Sequence, residues 1–280
     1  MSTESQKKAE EYLSVSSQYK LGNLVTEAQH PDTKDLSFLA RKDTGKAVSV
    51  LHALDRQTIA LLAEKKKEIN YLKGSIKATL EAGNNIYFCG CGATGRLSLT
   101  IETLWRQIHG SDELGNRVFS FMAGGDVALI RSIENFEDFP QYGARQLTEA
   151  GFKDGDLLIG TTEGGETPFV IGAVEEATRR SDRKPFFIYC NPDDLLCSVA
   201  ERSKRVIQNP GIEKINLTVG PMAVTGSTRM QSSTILLAAA GLGLLSFDQS
   251  FRSVSQAIDE FASFWTNTDI SFIERFIIRE

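Results

Sequence analysis

Short apolar runs at residues 86–89, 118–121, 157–159 and 186–189 alternate with helical stretches at 96–109, 127–136, 168–180 and 229–245. That alternation predicts an α/β fold, a parallel sheet wrapped by helices. The turn signal Gly83-Asn84-Asn85 stands just before the first run. Each helical stretch follows a loop rich in Gly, Ser or Thr, and those loops fall at the carboxyl ends of the strands. In open α/β sheets that edge is where ligands bind.

Residues 1–83 are polar and helix-like, with Leu51, Leu54, Ile59, Leu62 and then Ile69, Leu72, Ile76 at helical spacing. Residues 84–247 form the expected α/β domain. Residues 248–280 read as two C-terminal helices, and the chain stops at Ile-Ile-Arg-Glu without a C-cap signal, the pattern expected of a fragment of something longer.

The chain has 280 residues and a formal net charge of −5. That balance argues against nucleic-acid binding, which needs a basic stripe to neutralise phosphates. The four cysteines contain no CxxC pair and the three histidines are scattered, so neither a metal site nor a cofactor is expected. No signal-like start and no long apolar run argue for a cytoplasmic protein without a membrane span.

Three loops carry candidate chemistry. Gly90-Cys91-Gly92-Ala93-Thr94-Gly95-Arg96 has the spacing of a dinucleotide fingerprint, but the second strand ends in Met-Ala-Gly-Gly without the acidic residue that would hold a ribose. The loop still suits an anion: small residues let backbone N–H groups face a ligand at a helix start, where the macrodipole is positive, and Thr94 and Arg96 could add a hydroxyl and a charge. The alternative is a plain strand-to-helix turn. The second loop, 161–168, holds Thr161, Thr162, Glu163, Gly164, Glu166 and Thr167, with Thr167 read as an N-cap before Pro168. The third, 225–230, offers Ser227, Thr228 and Arg229, for which helix capping and ligand contact are both open.

Six motifs in order then resemble one family. They are Gly-Cys-Gly-Ala-Thr-Gly-Arg-Leu at 90–97, Ala-Gly-Gly-Asp at 123–126, Glu-Asn-Phe-Glu-Asp at 134–138, Thr-Pro-Phe-Val-Ile-Gly at 167–172, Cys-Asn-Pro at 190–192, and Val-Gly-Pro…Val-Thr-Gly-Ser-Thr-Arg-Met at 219–230. Together they resemble the SIS-domain group of the N-acetylmuramic acid 6-phosphate etherases and the glucokinase regulatory protein. The resemblance implies a three-layer, flavodoxin-like SIS domain, usually dimeric, that binds a phosphorylated hexose at the strand ends. It also leaves room for a protein partner such as a sugar kinase. By the same resemblance Gly92, Ala93, Thr94, Gly95 and Arg96 belong to the phosphate side. Asn191 looks like a sugar contact, and Ser227, Thr228 and Arg229 look like a third wall.

Activity is the open point. The etherase reaction uses two glutamates on opposite sides of the sugar, and Glu137 matches the second of them. The first falls at Leu104; the nearest acid, Glu102, is two positions early, about 200° around a helix, and should point elsewhere. Glu163 and Glu166 stand where the etherases carry small, hydroxyl-bearing or basic residues, and either could replace the missing acid. Two carboxylates beside a phosphate would otherwise repel it. A sugar-phosphate binder, an etherase-type lyase releasing D-lactate and a phosphosugar isomerase are the three functions these residues allow. Glu134, one turn before Glu137, reads as solvated surface on the same helix face.

Overall fold

The computed structural model describes residues 3–16, 21–110, 112–131, 133, 135–247 and 253–277. Glu134 lies outside them. The helices are α1 (Thr3–Val15), α2 (Leu36–Lys42), α3 (Thr44–Ala60), α4 (Lys66–Glu81), α5 (Gly92–His109), α6 (Val127–Ile130), α7 (Pro140–Glu149), α8 (Pro168–Arg180), α9 (Asp193–Val199), α10 (Glu201–Ile207), α11 (Gln231–Leu245), α12 (Val254–Asn267) and α13 (Phe272–Ile277). The strands are β1 (Ile86–Gly90), β2 (Val118–Met122), β3 (Leu157–Thr161), β4 (Phe186–Tyr189) and β5 (Glu213–Asn216). They form one sheet in the order β2-β1-β3-β4-β5. Every neighbouring pair is parallel.

Alternate residues of the strands feed two separate cores, as period-two side chains require. Ile86, Phe88, Leu157, Ile159, Phe186 and Ile188 pack on one face with Ile69, Leu72 and Ile76 of α4, Ile101 of α5 and Ile235 of α11. Tyr87, Cys89, Leu158, Phe187 and Tyr189 pack on the other with Leu147 of α7, Val170 and Val174 of α8 and Val206 of α10. The result is a three-layer α/β/α domain, and burial on both faces is why these strands read as unbroken apolar runs.

β5 is the exception. In Glu-Lys-Ile-Asn only Ile215 is buried, so this edge strand carries no apolar run to reveal it. The expected helix over 127–136 is corrected: α6 ends at Ile130, Arg131 is extended, and Asn135 has φ 63°, a left-handed backbone that a helix cannot contain. Glu137 therefore sits on a loop rather than on a helix face, and α7 begins three residues later on Pro140 at its first turn.

Strand order reverses between β1 and its two neighbours, so the crossovers leaving β1 and β3 go to opposite faces of the sheet. A crevice opens at their carboxyl ends, the position where open α/β domains take ligands. The β1–α5 and β3–α8 loops form its sides.

Candidate functional site

A cleft of about 500 Å³ occupies that crevice. Its walls include Gly92, Ala93 and Thr94 from the start of α5, Glu163, Gly164, Glu166 and Thr167 from the β3–α8 loop, and Thr228 and Arg229 from the loop before α11. Glu137 stands at the rim. A second cavity of about 510 Å³ adjoins it, sharing Gly92, Glu137 and Arg229 and adding Arg96 and Arg131. A depression of about 600 Å³ lies at the opposite end of the sheet, against the first residues of β3 and β5, away from every candidate loop.

The β1–α5 turn is built from its own side chains. The Cys91 N–H donates to Thr94 Oγ1 at 2.9 Å, and the Thr94 hydroxyl donates back to the Cys91 carbonyl at 3.0 Å. Thr94 is thus engaged in closing the turn, and what the cleft sees is backbone: the first N–H groups of a helix have no intrahelical acceptor. Gly92 has φ 50°, and nothing lies within 4 Å of where its Cβ would be, so glycine is there for its conformation.

Glu163 is fixed in the cleft by two hydroxyls. Thr228 Oγ1 donates to Oε2 at 3.0 Å and the Ser233 hydroxyl donates to Oε1. Burial nevertheless pushes this carboxyl above the usual glutamate value, against the opposing pull of Ser233, Thr228 and Arg229. Glu166 is shifted the same way, chiefly by burial, with its own backbone N–H and then Arg202 pulling it down and Glu27 and Glu137 pushing it up. Parts of Glu166 reach the opening, but its Oε2 is sealed from solvent and accepts no hydrogen bond.

Thr161, Thr162, Gly95 and Asn191 do not line the cleft; they hold its walls. Thr161 Oγ1 donates to the Cys89 carbonyl at 3.2 Å, bridging β3 to β1. Thr162 and Thr167 join hydroxyls at 2.9 Å, so the Thr167 side chain faces back into its loop and makes no cap for α8. Gly95 lets α5 approach β2, since a Cβ there would meet Met122 Cβ at 2.5 Å. Asn191 is fully buried, with Nδ2 donating to Thr26 Oγ1 at 2.9 Å and to the Gly164 carbonyl at 2.8 Å. Ser227 lies beside the cleft without capping α11, whose N-cap is Met230.

Glu27, Arg202 and Arg205 line the cleft and escaped sequence reasoning; Asp138, which closes the motif at 134–138 but was given no role of its own there, lines it too. Glu27 arrives from a 3₁₀ turn at Val25–Glu27, far upstream in sequence. Arg202 donates through Nε to the Glu166 carbonyl, and Arg205 pairs with Glu175 at 3.2 Å. No local pattern marks Glu27, Arg202 or Arg205. Glu102 points elsewhere, as its spacing requires: it accepts from Arg106 Nε at 2.9 Å and from the Ser120 hydroxyl. Leu104 is partly exposed on α5, outside the cleft. Among the described residues, no group of three or more His, Cys, Asp or Glu side chains is placed to hold a metal ion. Nor is any helix among them long and apolar enough to cross a membrane.

Fold and cleft together define an open, doubly wound α/β domain with its candidate site at the switch in strand order. Residues 69–178 match the model of the glucokinase regulatory protein N-terminal SIS domain. Relatives include N-acetylmuramic acid 6-phosphate etherase 2 of Vibrio cholerae serotype O1, 31% identical over 76% of this chain and 64% of the relative. Another is the N-acetylmuramic acid 6-phosphate etherase of Erwinia tasmaniensis, 32% identical over 76% of this chain and 64% of the relative. The matched region thus spans a little under two thirds of the length of these relatives. Among solved structures, the phosphoheptose isomerase GmhA from Neisseria gonorrhoeae aligns with 17% identity and a TM-score of 0.47, over 77% of this chain and 98% of that one. The chain carries a SIS domain of the group that holds the etherases and the glucokinase regulatory protein.

Proposed function

We propose that the cleft binds a phosphorylated sugar, with the phosphate against the start of α5 and the sugar ring against the β3–α8 loop. The observation that carries this is the meeting of two opposite fields in one cleft: helix-start N–H groups of Gly92, Ala93 and Thr94 with Arg229 on one side, and the carboxyls of Glu163 and Glu166 on the other. A helix start and a guanidinium both favour phosphate oxygens. Sugar hydroxyls are donors that suit carboxylate acceptors. The names of the etherase relatives, which specify a sugar 6-phosphate, support the same class of ligand.

Within this proposal Gly92, Ala93, Thr94 and Arg229 contact phosphate, with Arg96 adding positive field from the adjoining cavity. Glu163, Glu166, Gly164 and Thr228 face the sugar. Thr161, Thr162, Thr167, Gly95 and Asn191 are positioning residues, and Ser227 shapes the third loop. The proposal includes a cytoplasmic homodimer, with a sugar kinase as a compatible protein partner; four free thiols, at Cys89, Cys91, Cys190 and Cys197, are in keeping with a reducing compartment.

A lyase or isomerase is the second reading, favoured by the convergence of Glu137, Glu163 and Glu166 on one cleft. Catalysis would need one of them as base and another as acid, and the raised affinity of Glu163 and Glu166 for protons suits the acid.

Calorimetric titration of the purified chain with hexose 6-phosphates and the matching free hexoses tests the binding proposal. The phosphate esters should bind, the free sugars should bind weakly or not at all, and Arg229→Ala should weaken the esters by roughly ten-fold or more. Equal binding of esters and free sugars, or no binding of either, would overturn it.

A further inference from the structure

The cavity that adjoins the cleft, about 510 Å³ in volume, is set apart by its charges. Arg96, Arg131 and Arg229 all line it, and Glu137 is the one carboxyl beside them among the described residues. Arg96, in the second turn of α5, reaches through Nη1 to the Gly92 carbonyl of its own helix at 3.5 Å. Arg131 follows the end of α6 on extended backbone, and Arg229 comes from the loop before α11. Among the described residues, neither Arg131 nor Arg229 makes a hydrogen bond or a close ion pair through its guanidinium. Apart from Asn135 the rest of the wall is apolar or glycine, with Met122, Leu129 and Ile133 in it, so the cavity offers the arginines few acceptors of its own.

Three guanidinium groups around one space repel one another, and an anion placed among them turns that repulsion into attraction. A carboxylate brings one charge and two oxygens, which suits a single bidentate guanidinium. A phosphoryl group brings up to two charges and three acceptor oxygens, which suits several guanidiniums at once. Cavity and cleft meet at Gly92, Glu137 and Arg229, which line both. A ligand whose first phosphate lies against Gly92 and Arg229 therefore has the second cavity directly beyond it.

Resting on the sugar-phosphate proposal, we propose that the two cavities form one site for a sugar bearing two phosphoryl groups. The first lies against Gly92 and Arg229, and the second lies in the adjoining cavity against Arg96 and Arg131. A second group on another carbon of the sugar and one joined in series through the first phosphate present the same chemistry to these arginines.

The experiment is a calorimetric comparison of glucose 6-phosphate, glucose 1-phosphate, glucose 1,6-bisphosphate and UDP-glucose on the purified chain and on Arg131→Ala. Arg131 is exposed and lines only the second cavity, so its loss leaves the fold and the first phosphate alone. At least one of the two doubly phosphorylated ligands should bind roughly ten-fold or more tighter than either monoester, the range expected for one added charge-assisted contact. Arg131→Ala should remove most of that gain while the monoesters keep their affinity. A gain for the bisphosphate alone places the second group on another carbon, and a gain for UDP-glucose alone places it in series; either supports the inference. Monoesters that bind as tightly as both doubly phosphorylated ligands overturn it and leave the sugar-phosphate proposal standing. A gain that survives Arg131→Ala unchanged overturns the assignment to this cavity. Failure of all four ligands to bind overturns both proposals.

Discussion

Asn191 reaches from the end of β4 to the Gly164 carbonyl at 2.8 Å, and so fixes the loop that presents Glu163 and Glu166. The same amide also holds Thr26, through its hydroxyl at 2.9 Å and its N–H at 3.3 Å. One buried side chain thus ties the upstream segment carrying Glu27 to the β3–α8 loop. Asn191→Ala would leave these groups without partners in the interior, at a cost of about 1–3 kcal/mol for each buried group left unsatisfied. We expect a melting temperature lowered by several degrees in a thermal scan. Ligand affinity should fall with it, although Asn191 does not line the cleft.

Gly164 and Glu166 should behave as a coupled pair. Gly164→Ala places a methyl where the Glu166 carboxyl lies, so it should destabilise the chain by about 1–3 kcal/mol, as overpacking does. In the Gly164→Ala/Glu166→Ala double variant the collision is gone. A double-mutant cycle by urea unfolding should therefore show the second substitution recovering part of the loss; strictly additive effects would place the carboxyl elsewhere.

The glutamates of the cleft give stability a definite pH dependence. Glu163 and Glu166 both have folded-state pKa values raised above the usual 4.5. The folded protein therefore holds these protons more tightly than the unfolded chain does, and this contribution to stability is complete below the unfolded value. It is lost as pH rises through the folded values. Glu166→Gln removes one such group, so its unfolding free energy should decline less than that of the wild type over the pH range just above 4.5, measured by urea titration at successive pH values.

D-lactate release from N-acetylmuramic acid 6-phosphate separates binder from lyase. Glu102 is engaged by Arg106 and Ser120, and Leu104 lies outside the cleft, so the first of the two etherase glutamates has no direct replacement at its own place. The expected outcome is no release by folded chain. Release that disappears in Glu137→Gln would instead show a lyase that uses Glu137 and has compensated for the leucine at position 104.

Thiol accessibility should follow burial. Burial raises the pKa of all four thiols, but Cys89, Cys91 and Cys190 are buried whereas Cys197 is only half-buried. A thiol reagent at neutral pH should label Cys197 first, and all four only after unfolding. Rapid labelling of Cys91 would mean that the floor of the cleft opens in solution.

The strands β1 to β4 and helices α5, α8 and α11 were legible from the sequence because each is dictated locally. A strand buried on both faces must be apolar along its length, and a helix must start after a loop that can turn. For the same reason the loops bearing Gly92, Glu163 and Arg229 could be singled out, since small and polar residues between strand and helix are visible without a fold. β5 was not, because at a sheet edge only Ile215 has to be apolar. The truncation of α6 was not, because helical spacing at 127–136 says nothing of the left-handed turn at Asn135.

The sequence by itself determined the parallel α/β class and the edge at which a ligand should lie, since both follow from the order and polarity of neighbouring residues. Only the tertiary structure decided which polar groups face the cleft. It turned Thr94, Thr167 and Asn191 inward as supports, brought in Glu27 and Arg202 from distant segments, and sealed Glu166 Oε2 without a partner. A hydroxyl or amide bonds whichever acceptor is nearest in space, and a carboxyl feels every charge and surface packed around it. Those neighbours are fixed by strand order and layer packing, not by distance along the chain.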